Sequence, residues 1–300
     1  FYTIHVELRP VGGGRPMQNT FPFFVQDGEP KVAEITDELR KKLTKQSAGF
    51  VVSPAVTEVA TRPGGRRMQA VEVRNLTRET IKLRANVMNW QRSPEGQDLV
   101  MADEAAHGRS AKPMLDVRQE EVELRPMSRR RVPFFVEIPD GTRGEHYAAI
   151  AFERQDVQLD QDPKAMSRRA LLLRAQARDT GQTGSEIADF TVERLPNGVI
   201  SFAVQVRNTG NVAIVPQSTF FLENENDQRV GKVSPQARPA FVQAGGEGLV
   251  RGQYTHVLDP GTYTAEVSVR YDPDKPPLVK RAEVAVPEAR ALPGPTAKQN

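Results

Sequence analysis

Along most of the chain, apolar and polar residues alternate in short segments that end at proline, glycine, asparagine or aspartate. Successive side chains of a β-strand point to opposite faces, so this period of two predicts strands with one buried face. The clearest segments are residues 69–74, 80–87, 131–138, 199–207 and 262–271. Strands at this spacing, separated by turns, are typical of an all-β sandwich.

The same plan occurs twice along the chain. VEVRNLTRETIKL in the first half parallels VQVRNTGNVAIVP in the second, and IPDGTRGEHYAAIAF parallels LDPGTYTAEVSVRY. Tyr147 and Tyr263 each open a strand after a Pro/Gly turn, where a tyrosine corner is expected. A domain has roughly 100–200 residues. We therefore predict two tandem immunoglobulin-like β-sandwich domains, at residues 48–180 and 181–287.

Residues 1–47 do not follow this plan, and we predict a short extended arm and a linker helix for them. A strand is expected at the start, with one row of alternating apolar side chains: Tyr2, Ile4, Val6 and Leu8. Residues 21–25 form a second extended piece, and residues 36–45 have the capping and charge pattern of a short helix. Residues 288–300 have little apolar content and are expected to be disordered.

Composition excludes several classes of site. The chain has no cysteine, which excludes a disulfide framework, a cysteine zinc site, an iron–sulfur cluster and a thiol nucleophile. The net charge of +3 is too small to indicate a nucleic-acid partner. No apolar run of about 18 residues is present, so no transmembrane segment is expected. The chain opens at Phe1, and removal of a signal peptide and trimming of the sequence both stay open.

Catalytic and metal motifs are also missing from the sequence. It has no GxSxG, SxxK, P-loop or GxGxxG pattern, so an enzyme and a cofactor are not expected. No histidine has a neighbour at a ligand spacing; the four are His5, His107, His146 and His256. Three acids lie close together, Asp156, Asp160 and Asp162. Without the EF-hand glycine and glutamate, an acidic loop is the ordinary explanation and a weak calcium site the alternative.

Several of these motifs together carry a resemblance to a known family. Ser53-Pro54, the Pro-Gly-Gly turn at 63–65, VEVRNLT, and ELRPMSRRRVPFFVEIPDGTRGEHYAAIAF resemble the amino-terminal sandwich of PapD-like periplasmic pilus-assembly chaperones. The chain is similar also to WxL-interacting proteins of Gram-positive surface complexes, in which an NTGN turn like residues 208–211 opens the second domain. The resemblance spans roughly residues 48–285. It implies an envelope protein, periplasmic or at the cell surface, with a protein partner.

The resemblance also implies a binding strand. PapD-like chaperones lend a strand with alternating apolar residues to an incomplete subunit, and the matching strand here is residues 170–178. Leu171, Leu173 and Ala175 form one row of this strand, and Leu172, Arg174 and Gln176 form the other. The plainer alternative is a last strand with one buried face. The family's basic residue in the first strand is missing from residues 51–58, so Arg168, Arg169 and Arg174 match only the second basic position.

Two further surfaces have functional interpretations. Arginines cluster at 62–67, at 168–169 and at Arg129, Arg130 and Arg131. Such residues commonly keep strand edges soluble, and the alternative is a surface for anionic envelope polymers, phospholipid head groups or an acidic partner. The arm can complete a neighbouring molecule's sheet, or it packs on its own chain. The leading prediction is therefore a non-enzymatic assembly or scaffold protein, with a filament subunit or a wall-binding module as alternatives.

Overall fold

The computed structural model describes residues 2–8, 17–26, 29–32, 49–101, 108–155, 168–235 and 241–287. Within these ranges the regular structure is β-strand, apart from one 3-10 turn at Lys112–Met114. A small sheet precedes two immunoglobulin-like sandwiches, so the predicted all-β fold is confirmed. The predicted helix at 36–45 and the tail at 288–300 lie outside the described residues.

The arm forms a three-stranded antiparallel sheet. Its strands are β1 (Tyr2–Leu8), β2 (Met17–Gln26) and β3 (Glu29–Val32), in the order β1-β2-β3. The two predicted extended pieces are β1 and β2. The sequence did not predict β3, because a strand of four residues that contains Pro30 and charged neighbours shows no clear alternation.

The first sandwich is built from two sheets. Its strands are β4 (Phe50–Ser53), β5 (Val56–Thr61), β6 (Arg66–Asn75), β7 (Ile81–Arg92), β8 (Asp98–Met101), β9 (Leu115–Asp116), β10 (Glu121–Leu124), β11 (Arg129–Glu137), β12 (Gly144–Arg154) and β13 (Arg168–Ala177). One sheet has the order β4-β6-β11-β9, and the other has the order β10-β7-β12-β13-β5, with β8 paired to β7. The chain crosses between the sheets from β4 to β5. After this crossing β5 runs parallel to β13.

The predicted alternation produces the core of this sandwich. Large side chains that are fully buried between the sheets include Phe50, Ile81, Leu83, Leu124, Phe134, Ile138, Ile150, Phe152, Leu171 and Leu173. In β7 the predicted row holds through Ala85, but Val87 is only half-buried and residues 88–90 are all buried. A strand with consecutive buried residues is covered on both faces. The second sandwich supplies part of the outer cover.

The second sandwich repeats the two-sheet plan. Its strands are β14 (Ser185–Arg194), β15 (Ile200–Asn208), β16 (Gln217–Glu223), β17 (Arg229–Val233), β18 (Glu247–Tyr254), β19 (Gly261–Arg270) and β20 (Leu278–Val286). The sheets have the orders β14-β15-β18 and β17-β16-β19-β20. In the core, the rings of Phe202 and Phe220 stack with centroids 5.2 Å apart.

One asparagine in each sandwich has the same structural role. The side-chain amide of Asn75 donates to the carbonyls of Glu79, Leu124 and Arg125. Asn208, at the aligned position of the second sandwich, donates to Val212 at 2.8 Å and Val242 at 3.0 Å. Both asparagines are at most 1% exposed. Because buried polar groups need partners, these bonds fix the turn after β6 and the turn after β15.

The two predicted tyrosine corners have different outcomes. The hydroxyl of Tyr263 donates to the carbonyl of Asp259 at 2.9 Å, as a tyrosine corner requires. The prediction for Tyr147 was wrong, because its hydroxyl donates instead to the carboxylate of Glu145 at 2.9 Å. The turn before β12 therefore has no such bond to Tyr147, and this side chain lies between the sandwiches.

Candidate functional site

A small apolar cluster joins the two sandwiches. Trp90 of β7 and Tyr147 of β12 lie on the outer face of the first sandwich, where they pack with Ala244 of the second. The Trp90 ring meets the rings of Tyr147 and Phe241 edge-on, with centroids 5.9 Å and 5.8 Å apart. Trp90 is the single tryptophan of the chain and is 3% exposed. The junction therefore buries an aromatic group that reports on its integrity.

A buried ion pair lies beside this cluster. Nη2 of Arg174, on β13, donates to Glu145 on β12 at 2.6 Å. The Glu145 carboxylate also accepts from the Tyr147 hydroxyl and, at 3.1 Å, from the backbone N–H of Ala213 in the second sandwich. Burial and the adjacent Glu145 charge raise the pKa of the Tyr147 hydroxyl above its usual range. Glu145 thus joins two strands of the first sandwich to the backbone of the second.

Further hydrogen bonds cross the junction. The Ala244 N–H donates to the Tyr147 hydroxyl at 3.0 Å, and the Arg92 N–H donates to Oε1 of Gln243 at 2.9 Å. The Glu145 N–H donates to the carbonyl of Asn211 at 2.7 Å. Because backbone groups take part from both sides, the sandwiches are held in a defined relative orientation.

The edge of β13 is covered along only part of its length. β12 pairs with the whole of β13, from Glu153↔Arg168 to Gly144↔Ala177, whereas β5 pairs with it only from Leu172↔Val56 onward. Within the described part of the chain, residues 168–171 therefore have a neighbouring strand on one side only. We call these four residues the free edge.

The direction of the backbone groups at the free edge follows from one hydrogen bond. The Leu172 N–H donates to the carbonyl of Ala55, on the β5 side, at 2.8 Å. Since backbone groups of a strand alternate in direction with a period of two, the N–H and C=O groups of Ala170 and Arg168 point to that same side. There the described residues offer them no strand. The N–H of Leu171 points to β12.

The predicted leucine rows lie in two different environments. Leu171 and Leu173 are at most 1% exposed and belong to the core of the first sandwich. Leu172 and Ala170 are half-buried and pack against the junction cluster on the opposite face. Neither row is a freely exposed apolar stripe. The accessible feature of this strand is therefore the backbone of the free edge.

The arginines of β13 form hydrogen bonds and ion pairs with neighbouring residues of the first sandwich. Nε of Arg168 donates to Oε1 of Glu153, on β12, at 2.6 Å. Arg169 donates to the carbonyl of Arg168 at 2.8 Å, and burial lowers the pKa of its guanidinium. Arg174 pairs with Glu145 and, at 3.2 Å, with Glu58 of β5. Arg174 is therefore engaged in the junction, while Arg168 and Arg169 belong to the free edge.

The three arginines predicted as a cluster lie on β11, where alternate residues belong to opposite faces of the sheet. Arg129 and Arg131 share the outer face of their sheet, where Arg129 lies opposite Arg74 of β6 and Arg131 lies opposite Glu72. Arg130 belongs to the opposite face of the sheet, and its cross-strand neighbour is Val73. All three arginines of the cluster are exposed. The outer face thus carries Arg74, Arg129 and Arg131 around one glutamate.

The arm residues lie on a sheet edge. Tyr2, Ile4, Val6 and Leu8 occupy alternate positions of β1, which pairs with β2 from Tyr2↔Phe23 to Leu8↔Met17. In the described residues β1 has no second strand neighbour. Its role as a donor strand stays a prediction.

Other candidate chemistry is limited in this part of the chain. Within the described residues, no group of three or more histidines, cysteines or acids is placed to hold a metal ion. Asp156, Asp160, Asp162 and His107 lie outside them. No helix of the described ranges is long and apolar enough to cross a membrane.

Comparisons with known proteins give structural matches only. No family model and no curated protein matches the chain. The class 5 fimbriae chaperone CfaA is 14% identical over 79% of this chain and 99% of its own, with a TM-score of 0.40. The E. coli chaperone DraB is 12% identical over 79% and 98%, with a TM-score of 0.35. A PapD-like domain of human CEP192 is 14% identical over 44% and 87%, with a TM-score of 0.31.

Residues of the junction were not predicted from sequence. Glu145, Asn211 and Gln243 lie in a turn or near a strand end, where polar residues are ordinary. Glu145 and Asn211 lie within motifs that align between the two halves, which was the available indication for them, whereas Gln243 lies outside these motifs. Their partners are distant in sequence, so no local pattern identifies them.

Proposed function

We propose that this chain is a non-enzymatic assembly or scaffold protein of the cell envelope, periplasmic or at the cell surface, that binds a protein partner by strand addition at the free edge of β13. The observation that carries the proposal is the free edge itself, residues 168–171, with which β5 does not pair. Unpaired N–H and C=O groups of an edge strand are a template for pairing with another chain.

The crossing from β4 to β5 supports this proposal. β5 begins at Val56, so its pairing with β13 starts at Leu172 and does not extend to Ala170 and Arg168. Under this proposal a partner strand pairs with β13 in line with β5, on the same side. Val56 is 48% exposed next to these residues and can contact an incoming apolar side chain.

Burial determines which residues can test the proposal. Replacement of Leu171 or Leu173 by aspartate puts a charge into the core and is expected to unfold the first sandwich, so loss of binding there would not discriminate. Ala170→Pro is sharper, because it removes an N–H that faces the free side and proline is tolerated on such an edge. Leu171→Pro is the matched control, since it removes an N–H that faces β12.

The experiment compares three proteins: wild type, Ala170→Pro and Leu171→Pro. Each is tagged and recovered from the native cells, and the proteins that co-purify are identified by mass spectrometry. We expect Ala170→Pro to keep the circular dichroism and melting temperature of the wild type and to lose a specific partner, and Leu171→Pro to lose stability. If folded Ala170→Pro retains every partner of the wild type, strand addition at this edge is refuted.

The outer arginine face supports a second candidate function, binding of an anionic envelope polymer. Like charges placed opposite each other destabilise a sheet pair, yet Arg74 and Arg129 are direct cross-strand neighbours. Arg131 and Glu72 line an adjoining surface pocket of about 470 Å³ with Arg129. Glu72 lies 3.8 Å from Arg129 and offsets part of the repulsion, and an anion bound there would offset the rest.

A further inference from the structure

An open pocket of about 540 Å³ lies at one end of the first sandwich, beside the second. Its walls come from the turn before β12, from the segment that begins at Gly108 and from the loop before β18. The lining residues are Gly108, Arg109, Gly141, Thr142, Arg143, His146, Ala244 and Gly245. Ligand sites typically enclose about 300–1,000 Å³, so the pocket has room for a small ligand or the end of a larger one.

Among the described residues, the charged groups that line the pocket are positive. Arg109 and Arg143 contribute guanidinium groups, and none of the described lining residues is acidic. Nη1 of Arg109 donates to the carbonyls of Arg143 and Glu145 at 3.3 Å and 3.4 Å, which holds it against the turn. The carboxylate of Glu145 is occupied by Arg174, Tyr147 and Ala213 at the junction. In the described part of the chain, the lining therefore places no carboxylate beside the two pocket arginines.

His146 adds an unsatisfied polar atom. Its Nδ1 is buried and makes no hydrogen bond within the chain. Burial lowers the pKa of this imidazole, the Arg109 charge lowers it further, and the carbonyls of Arg143 and Ser110 partly oppose the shift. A buried polar atom without a partner is costly. A negatively charged ligand in the pocket would offset the unfavourable interaction between the Arg109 charge and a protonated His146.

Three of the lining residues are glycines, and there is free space at the position where each would carry a Cβ. A Cβ added to Gly108, Gly141 or Gly245 would meet no atom within 4 Å. Among the described lining residues, no phenylalanine, tyrosine or tryptophan provides a large stacking surface for a nucleobase or a sugar. What the pocket provides is two guanidinium groups, an imidazole and the Thr142 hydroxyl, which are donors suited to an oxyanion.

We infer that this pocket binds an oxyanionic group, a carboxylate or a phosphate, between Arg109, Arg143 and His146. The site is separate from the free edge of β13 and does not depend on it. A bound anion raises the pKa of His146, because it reverses the effect of the neighbouring Arg109 charge. Carboxylate and phosphate ligands share this chemistry, and the experiment distinguishes them.

The test is an NMR titration of the histidine rings in the full chain, with the His146 signal assigned from the His146→Gln variant. Sodium phosphate and sodium acetate are the two probes, and sodium chloride at matched ionic strength is the control. We expect a saturable shift of the His146 signal, and a higher His146 pKa, with phosphate, acetate or both. Which probe acts identifies the ligand class.

Variants establish the location of binding. Arg143 is exposed, so Arg143→Gln should fold normally and weaken oxyanion binding about tenfold, the effect of losing one charge-assisted hydrogen bond. Arg129→Gln, on the other sheet, should bind as the wild type does, and so should Ala170→Pro. The inference is overturned if neither probe gives a saturable shift, if chloride acts equally, or if Arg143→Gln binds with unchanged affinity.

Discussion

Replacing Glu145 by glutamine tests the junction, because it removes one charge while the side chain keeps its shape. Glu145 is 3% exposed and accepts hydrogen bonds from Arg174, Tyr147 and Ala213. Removing one partner of a buried ion pair costs about 3–5 kcal/mol. The Arg174 side chain is 23% exposed and retains Glu58 at 3.2 Å, so the lower part of that scale applies. We expect a loss of about 3 kcal/mol.

Trp90 makes this loss measurable at the site itself. It is the single tryptophan and packs at the junction, so its fluorescence during urea unfolding follows the first sandwich and the junction. Circular dichroism of the same samples follows the strands of both sandwiches. In Glu145→Gln the fluorescence transition should move to lower urea, and the free energy of unfolding derived from it should fall by the stated amount.

A matched control is available in the second sandwich. Glu186 forms an ion pair with Arg207 at 2.9 Å, but both side chains are 50% exposed. Exposed pairs contribute about 0–1 kcal/mol, so Glu186→Gln should unfold almost as the wild type does. The reasoning is refuted if Glu145→Gln changes the fluorescence-detected free energy by no more than this control.

The remaining predictions concern the arm and the arginine face. If the arm joins molecules through β1, deletion of residues 1–10 converts an oligomer to a monomer in light scattering; a monomer both before and after deletion refutes polymerisation. If Arg129 and Arg131 bind anionic polymer, their joint replacement by glutamine abolishes retention on immobilised polyanion at low salt, and retention of the wild type declines as salt rises. Retention that is equal in the variant and the wild type contradicts that surface.

Local patterns were sufficient to predict many of the strands and the repeat. The alternation in residues 131–138 corresponds to β11, where Val132, Phe134 and Val136 are buried. The aligned Asn75 and Asn208 confirm the repeat at the level of single hydrogen bonds. These features depend on neighbours along the chain or across one strand pair, so the sequence is enough to infer them.

The junction could not be predicted in the same way. Tyr147 followed the tyrosine-corner pattern, but its hydroxyl is taken by Glu145 and by the Ala244 N–H of the other sandwich. The alternation predicted for residues 80–87 fails at Val87, and residues 88–90 are all buried, for a related reason, since the second sandwich covers part of the outer face of this strand. Contacts between distant segments decided both cases. The free edge depends likewise on where β5 begins relative to β13.

The most direct test of strand addition is hydrogen exchange at the free edge, in the isolated protein and in its complex with the partner that Ala170→Pro loses. The amides of Arg168 and Ala170 should exchange rapidly in the isolated protein, while that of Leu171, directed at β12, should be protected. On binding, the Arg168 and Ala170 amides should become protected. Unchanged exchange at both amides, with protection appearing on another surface, would contradict the proposed function.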